Sequence, residues 1–316
     1  LRFLSKNLVI NLEDNPVIPV LTGCTATGKT GVLLKFRRKY DFEIISADSR
    51  QVYRGMDIGT AKPERDEQAI LTHHLIDCIN PDETFSAGMF TKEAWRLVSE
   101  IRKRNSVPVV AGGTALYLIA LAGGLDPMPN RCEGVREGFK TIEEEMPGTL
   151  HRILEKLDPV TAGVTGNGDI RRLVRALELY ALTGELPSDL RKGGDPMLRK
   201  KFRMVGISLP RDEHRRRIRV RAENMMETGL IEEVRFLLDK GWGRESVLGR
   251  TIGYKEVLDF LDGIITSVEG IVEAVSVNTW QLVRRQKNMF KRLEGIVWVE
   301  NDPDLIEKLL FAEGGF

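Results

Sequence analysis

Gly23-Cys24-Thr25-Ala26-Thr27-Gly28-Lys29-Thr30 satisfies the Gly-x-x-x-x-Gly-Lys-Ser/Thr pattern of a phosphate-binding loop at every specified position. Each residue type has a task in such a loop. Glycines let consecutive amides turn inward onto phosphate oxygens, the following helix N-terminus adds partial positive charge, Lys29 supplies a full one, and the Thr30 hydroxyl can hold Mg²⁺. A polyphosphate ligand is implied. A second polar cluster, Asp48-Ser49-Arg50-Gln51, brings a carboxylate. Asp48 can be a metal ligand, a general base or a cap for the turn that follows, and its position favours none of the three.

These groups need a scaffold. The run 17–22 reads as a buried strand and 31–36 as a helix, which gives the loop its strand-loop-helix setting. Further β-rich runs at 42–47 and 107–111 end at Asp48 and at Gly112-Gly113-Thr114, and the intervening segments are long enough for crossover helices. The clearest of these places Phe90, Ala94, Leu97, Val98 and Ile101 at helical spacing. The pattern predicts an α/β, P-loop NTPase-like parallel sheet with flanking helices, with its ligand at the carboxyl ends of the strands. Past Asp126-Pro127-Met128-Pro129 the texture becomes helical, with Leu150, Ile153, Leu154, Leu157 and then Leu173, Val174, Leu177, Tyr180 in register. Strand patterns return at 202–209 and 295–299, and Asp302-Pro303 opens a last helix. The expected organisation is a catalytic core of residues 1–125 and 199–316 interrupted by an all-helical domain, 126–198.

Composition narrows the classes. With 47 basic and 46 acidic residues the net charge is +1, so no global field draws the chain to nucleic acid or membrane. Local surpluses exist: ten basic against three acidic residues over 195–221, and five against none over 280–292. These are either solvated helix faces or the wall of a nucleic-acid groove. Cys24, Cys78 and Cys132 are widely spaced, which suits a reducing, cytoplasmic setting better than a disulfide framework or zinc site. No apolar run approaches a membrane span, and residues 1–12 are interrupted by Arg2, Lys6 and Asn7, which spoils a signal-peptide core.

A phosphate loop alone points to a kinase or ATPase. The strand at 107–111 ends in Gly112-Gly113-Thr114, however, where an acid for Mg²⁺ is usual. Longer blocks resolve the class: Ile45-Ser46-Ala47-Asp48-Ser49-Arg50-Gln51-Val52-Tyr53-Arg54-Gly55-Met56-Asp57-Ile58-Gly59-Thr60-Ala61-Lys62-Pro63, His73-His74-Leu75-Ile76-Asp77, Arg172-Leu173-Val174-Arg175-Ala176-Leu177-Glu178 and Ile252-Gly253-Tyr254-Lys255-Glu256. Together with the loop and Ala111-Gly112-Gly113-Thr114 they resemble the tRNA dimethylallyltransferase (tRNA isopentenyltransferase) family, in order, over nearly the whole chain.

The resemblance implies transfer of a dimethylallyl group from dimethylallyl diphosphate to N6 of the adenine just 3′ of the anticodon, forming N6-dimethylallyladenosine, with Mg²⁺. It makes the phosphate loop, Gly23 to Thr30, a grip on the leaving diphosphate, joined by Arg217. Asp48 matches the family's base, Thr114 a positioning threonine at the catalytic edge or an N-cap for the next helix, and Lys29 a catalytic cation. The flipped base and the anticodon stem-loop would meet Asp48, Ser49, Arg50, Gln51 and Thr114, then Arg136, Arg171, Arg172, Leu173, Val174 and Arg175 of the helical domain, and Arg250 and Lys255. A monomeric enzyme without a membrane partner is expected. Cys24 stands where the family usually has proline, and Asn288-Met289-Phe290-Lys291-Arg292 replaces an aromatic-rich stretch. The C-terminal part has no Cys/His finger pattern, as in bacterial-type short forms. The free-adenylate isopentenyltransferases share the loop and the base, but the tRNA-type Arg50 to Pro63 block and the arginines of the helical insertion separate this chain from them. An RNA-binding module without catalysis would leave Lys29, Thr30 and Asp48 without a task.

Overall fold

The computed structural model describes residues 17–123, 128–129, 131–190 and 196–311, so residues 1–12, the Asp126-Pro127 step and Asp195 lie outside the described residues. Two compact units emerge, Leu1–Ala122 with Met197–Phe316, and Gly123–Pro196.

The first unit is built on six parallel strands: β1 Ile18–Gly23, β2 Phe42–Ser46, β3 His73–His74, β4 Val107–Gly112, β5 Phe202–Ile207 and β6 Ile296–Val299, in the order β3-β2-β4-β1-β5-β6. The expected parallel α/β sheet is therefore present. The pattern at 17–22 and its companions mark five of the strands; two-residue β3 has no room for a periodic signal. Both faces of the sheet are covered, yet the strands still alternate. Ile18 and Val20 of β1 join Ile45, Val110 and Met204 in one core, whereas Leu21 joins Ile44, Val109, Val205 and Ile207 in the core beneath the helices Lys29–Phe36 and Pro303–Phe311. The helix Ala87–Lys103 buries Phe90, Ala94, Leu97, Val98 and Ile101, the five positions its spacing predicts. Ser86 caps it, accepting from the Met89 amide.

A third core lies beside the sheet. Val52, Tyr53 and Met56 of the segment after β2 pack on the helices Arg211–Glu227, Leu230–Asp239, Tyr254–Leu261 and Val268–Phe290. This packing fixes the segment that carries the Asp48 cluster. The chain leaves β1 toward β2 on one side and β5 toward β6 on the other, so the crevice at the carboxyl end of β1 is a topological switch point. No helix among the described residues is long and apolar enough to cross a membrane.

The second unit is helical. Its described residues fold into Glu133–Glu145, Thr149–Leu157, Pro159–Gly163, Ile170–Thr183 and Pro187–Leu190 around Leu150, Leu154, Leu173, Val174 and Leu177. Ile153 and Tyr180, expected inside by their spacing, stand at the edge of the apolar stripe and are exposed. Asp158, buried, accepts from the Thr161 and Ser188 amides and the Thr161 hydroxyl, joining two short helices.

Candidate active site

The phosphate loop runs from the end of β1 to the start of the helix Lys29–Phe36, as its sequence setting requires. Its shape is braced from within. The Thr27 hydroxyl donates to the Cys24 carbonyl (2.9 Å), and Lys29 Nζ donates to the carbonyls of Gly23 (3.0 Å) and Cys24 (2.9 Å). Gly28 sits at φ +89°, in the left-handed region, and a Cβ there would come within 3.5 Å of Arg217 Nη1 and 3.3 Å of Asn301 Nδ2. Arg217 thus lies beside Gly28 of the loop, with Nε held by Glu213 at 2.6 Å. Cys24 is buried and donates weakly from Sγ to the Val283 carbonyl (3.8 Å), so its side chain fills the core rather than the site. Thr25, Ala26, Thr27, Gly28 and Thr30 all line one cavity of about 940 Å³.

Burial pushes the Lys29 ammonium down to about 8, a displacement opposed by the Asp48 carboxylate and increased by Arg221. Among the described residues no group of three or more His, Cys, Asp or Glu side chains is arranged for a metal ion. The Thr30 hydroxyl lines the cavity and makes no hydrogen bond to the described residues. One hard oxygen beside a polyphosphate fits magnesium, which takes few protein ligands and keeps water and phosphate oxygens for the rest.

Asp48 follows β2 after the single residue Ala47, and β2 and β4 are in register to Ser46 opposite Ala111. Ala47 N bonds Ala111 O (2.7 Å) and Thr114 N bonds Ala47 O (3.1 Å), which draws the two strand ends together. Asp48 Oδ1 accepts from the amides of Arg50 (2.8 Å) and Gln51 (3.4 Å), so it does cap the turn. The described residues make no hydrogen bond to Oδ2. Thr114 Oγ1 accepts from the Ser49 amide (3.0 Å) instead of capping the helix Ala115–Gly123; that helix takes Thr114 through its backbone carbonyl.

Three residues outside the expected set enter the site. Gln286 accepts from the Thr25 amide (3.1 Å) and donates to the Gly113 carbonyl (2.8 Å), tying the phosphate loop to the Thr114 edge. His214 is buried, with Nε2 2.8 Å from the Thr25 carbonyl; its burial lowers its proton affinity. Arg221, four residues beyond Arg217 and on the same helix face, donates to the Thr60 carbonyl at 3.3 Å. A second cavity of about 370 Å³ holds Ser49, Arg50, Thr114 and Arg250. Asp48, Gly113, Arg221 and Gln286 line both cavities, so the phosphate side and the Asp48 side communicate at these residues. Lys255 is exposed on the helix Tyr254–Leu261 and lines neither cavity.

The helical unit corrects several expectations. Leu173 and Val174 are 0% and 1% exposed, core side chains that cannot offer themselves to RNA. Arg136 and Arg175 both pair with Glu178, at 3.1 and 2.7 Å, and Glu178 is fully buried; Arg175 also donates to the Pro129 carbonyl (2.9 Å). These two arginines are tied within the unit, Arg136 buried and Arg175 half-buried. Arg171 and Arg172 are exposed, Arg172 beside Asp169 at 3.2 Å. Glu178→Ala leaves two guanidinium groups without their carboxylate, and the expected loss of about 3–5 kcal/mol is read by urea unfolding of the purified variant. A loss below about 1 kcal/mol, the size of a surface pair, would contradict the structural role.

Comparison with known proteins matches residues 51–293 to the family model described as IPP transferase. The chain is 39% identical over 283 residues to the tRNA dimethylallyltransferase of Thermotoga maritima, covering 89% of this chain and 91% of that one. Among solved structures, the full-length tRNA isopentenylpyrophosphate transferase of Bacillus halodurans is similar at TM-score 0.66 and 33% identity, over 93% of this chain and 94% of that chain. A eukaryotic dimethylallyltransferase solved acting on tRNA reaches TM-score 0.76 over 94% of this chain and 76% of that chain; at 24% identity it bears on the fold alone.

Proposed function

The chain belongs to the IPP transferase family, and from that membership we infer that it transfers a dimethylallyl group from dimethylallyl diphosphate to N6 of the adenine 3′-adjacent to the anticodon of tRNA. The observation that carries the assignment of roles is that Asp48 and the phosphate loop open into one cavity, while Asp48 also lines the second. A base and a leaving-group site on two sides of one carboxylate suit a displacement. The N6–C1 bond forms as the C1–O bond breaks, the electron pair leaves with diphosphate, and the N6 proton passes to Asp48 Oδ2. Loop amides, Lys29 and Arg217 meet the charge that develops on diphosphate, where pre-aimed donors are most effective. Magnesium bound at Thr30 would supply further positive charge to the same oxygens. Ser49, Arg50, Gln51 and Arg250 line or adjoin the base side, and Thr114 fixes the Ser49 backbone there. Lys255 in the core and Arg171 and Arg172 in the helical unit, being exposed, are suited to RNA phosphates. A cytoplasmic, monomeric enzyme is part of this proposal.

Nuclease digestion of tRNA labelled from carbon-14 dimethylallyl diphosphate tests the reaction. Label is expected on one adenosine, that next to the anticodon; label on any other nucleotide would overturn the assignment.

The Lys29 environment gives the loop a pH signature. Its proton affinity is lowered from the ordinary 10.5 to about 8, so free enzyme carries the charge below that pH and loses it above. Accordingly kcat/KM for dimethylallyl diphosphate falls as pH rises through about 8. Bound diphosphate raises the lysine again, so kcat holds to higher pH. Coincident kcat and kcat/KM profiles would exclude Lys29 as the group responsible.

A further inference from the structure

The turn 57–61 itself lines the first cavity through Asp57, Ile58, Thr60 and Ala61, and it supplies carbonyls to two further residues of the site. Gln51 Nε2 donates to Ala61 O (3.0 Å) and Thr60 O (3.4 Å), and Arg221 donates to the same Thr60 O (3.3 Å). Gln51 Oε1 in turn accepts from the Ser46 hydroxyl at the end of β2 (3.2 Å). The placement of this turn therefore sets the placement of a side chain beside Asp48 and of a guanidinium that lines both cavities.

What holds the turn is a carboxylate from a different element. Glu233, on the helix Leu230–Asp239, accepts from three consecutive amides: Asp57 (3.1 Å) and Ile58 (2.8 Å) at Oε2, and Gly59 (3.4 Å) at Oε1. Consecutive amides turned the same way form an anion-binding nest, and here the anion is a side chain of the protein itself. Glu233 Oε1 also accepts from the Tyr254 hydroxyl at 2.5 Å. Tyr254 is fully buried, and its ring lies so close to Gly59 that a Cβ there would stand 2.3 Å from it. Only glycine lets the turn approach so near. On its other side the turn is tied by Lys62, whose ammonium meets Asp57 and Asp77 (both 2.5 Å) and the Tyr53 carbonyl (2.9 Å).

We propose that Glu233 is a positioning residue for the transfer reaction: by filling the amide nest of the 57–61 turn it holds Gln51 in the first cavity and Arg221 at the junction of the two. This rests on the assignment of Asp48 and the phosphate loop given above. Glu233 lines neither cavity. Its effect travels through the Thr60 and Ala61 carbonyls, and small misplacements of positioning groups can cost ~10²-fold in rate.

A mutant cycle tests the proposal in the full chain. Glu233→Ala is expected to lower kcat by ~10–10²-fold while the Kd of inorganic diphosphate, measured by calorimetry, changes by a smaller factor than kcat. In a background carrying both Gln51→Ala and Arg221→Ala, the same substitution costs nothing further in kcat, because the groups it positions are gone. Losses that simply add across the cycle overturn the proposal, as does an unchanged kcat in Glu233→Ala. Should Glu233→Ala fail to fold, Glu233→Gln, which keeps the size and one carbonyl acceptor, carries the same cycle. Tyr254→Phe, which leaves the three amide bonds in place, is expected to lose less kcat than Glu233→Gln; the reverse order would place the effect in the core instead. Wild-type transfer is measured first. A wild type that labels no tRNA removes the assignment of the site, whereas a competent wild type with additive losses removes only the role of Glu233.

Discussion

Asp48→Asn lowers turnover at saturating substrates by ~10²–10⁴-fold, the usual worth of a positioned base, and leaves tRNA affinity at the wild-type value. Asparagine is the informative substitution because its carbonyl oxygen can still accept from the Arg50 and Gln51 amides, so the turn survives and only the proton acceptor is lost. The nucleophile makes the loss large. The adenine N6 lone pair is delocalised into the ring, and a proton must leave as the new carbon bond forms. Single-turnover transfer and filter binding on the same preparation separate the two quantities. Weakened tRNA binding with normal turnover at saturation would assign Asp48 to recognition and take the base away from it.

Lys29→Met is the second large effect, an expected fall of ~10²–10³-fold in kcat/KM for dimethylallyl diphosphate. Methionine keeps an unbranched apolar stem but removes the cation that meets the leaving group. It also removes the donor that joins the Gly23 and Cys24 carbonyls, so part of the loss comes from a looser loop. Steady-state kinetics divide the effect: a fall in kcat reports charge stabilised as the C1–O bond breaks, whereas a rise in KM alone reports a grip made equally on bound substrate. The expected result is a fall in kcat. An unchanged kcat with a raised KM would reduce Lys29 to a binding residue.

What is legible in the sequence is local. The phosphate loop, the strand before it and the helix after it occupy one continuous segment, and the spacing of Phe90, Ala94, Leu97, Val98 and Ile101 states a buried face outright. The run before Asp48 places it at a strand end, and the structure adds what the run cannot show, that its Oδ1 is spent on the turn. Longer-range ties are not legible. Gln286 lies 261 residues from Thr25, within a stretch whose surplus of lysine and arginine draws attention to charge, yet the uncharged side chain is the one that reaches the loop. Arg175 and Glu178 do carry a readable signal, since three residues apart on a helix they face each other. Their spacing permits a tie within the unit, and the fold makes it, at 2.7 Å. Ile153 and Tyr180 show the limit of periodicity: it finds the stripe but not its edges. The lowered proton affinity of Lys29 follows from burial, which only the folded chain creates.

The most direct test offers labelled dimethylallyl diphosphate and Mg²⁺ to the enzyme with unmodified tRNA in one tube and AMP plus ATP in the other. Label in tRNA alone is the predicted result, since the cavity beside Asp48 is then serving a base presented by RNA. Label in the free nucleotides, or hydrolysis of ATP with no label transferred, would contradict the account at its centre, the first by changing the acceptor and the second by returning the phosphate loop to a nucleotide.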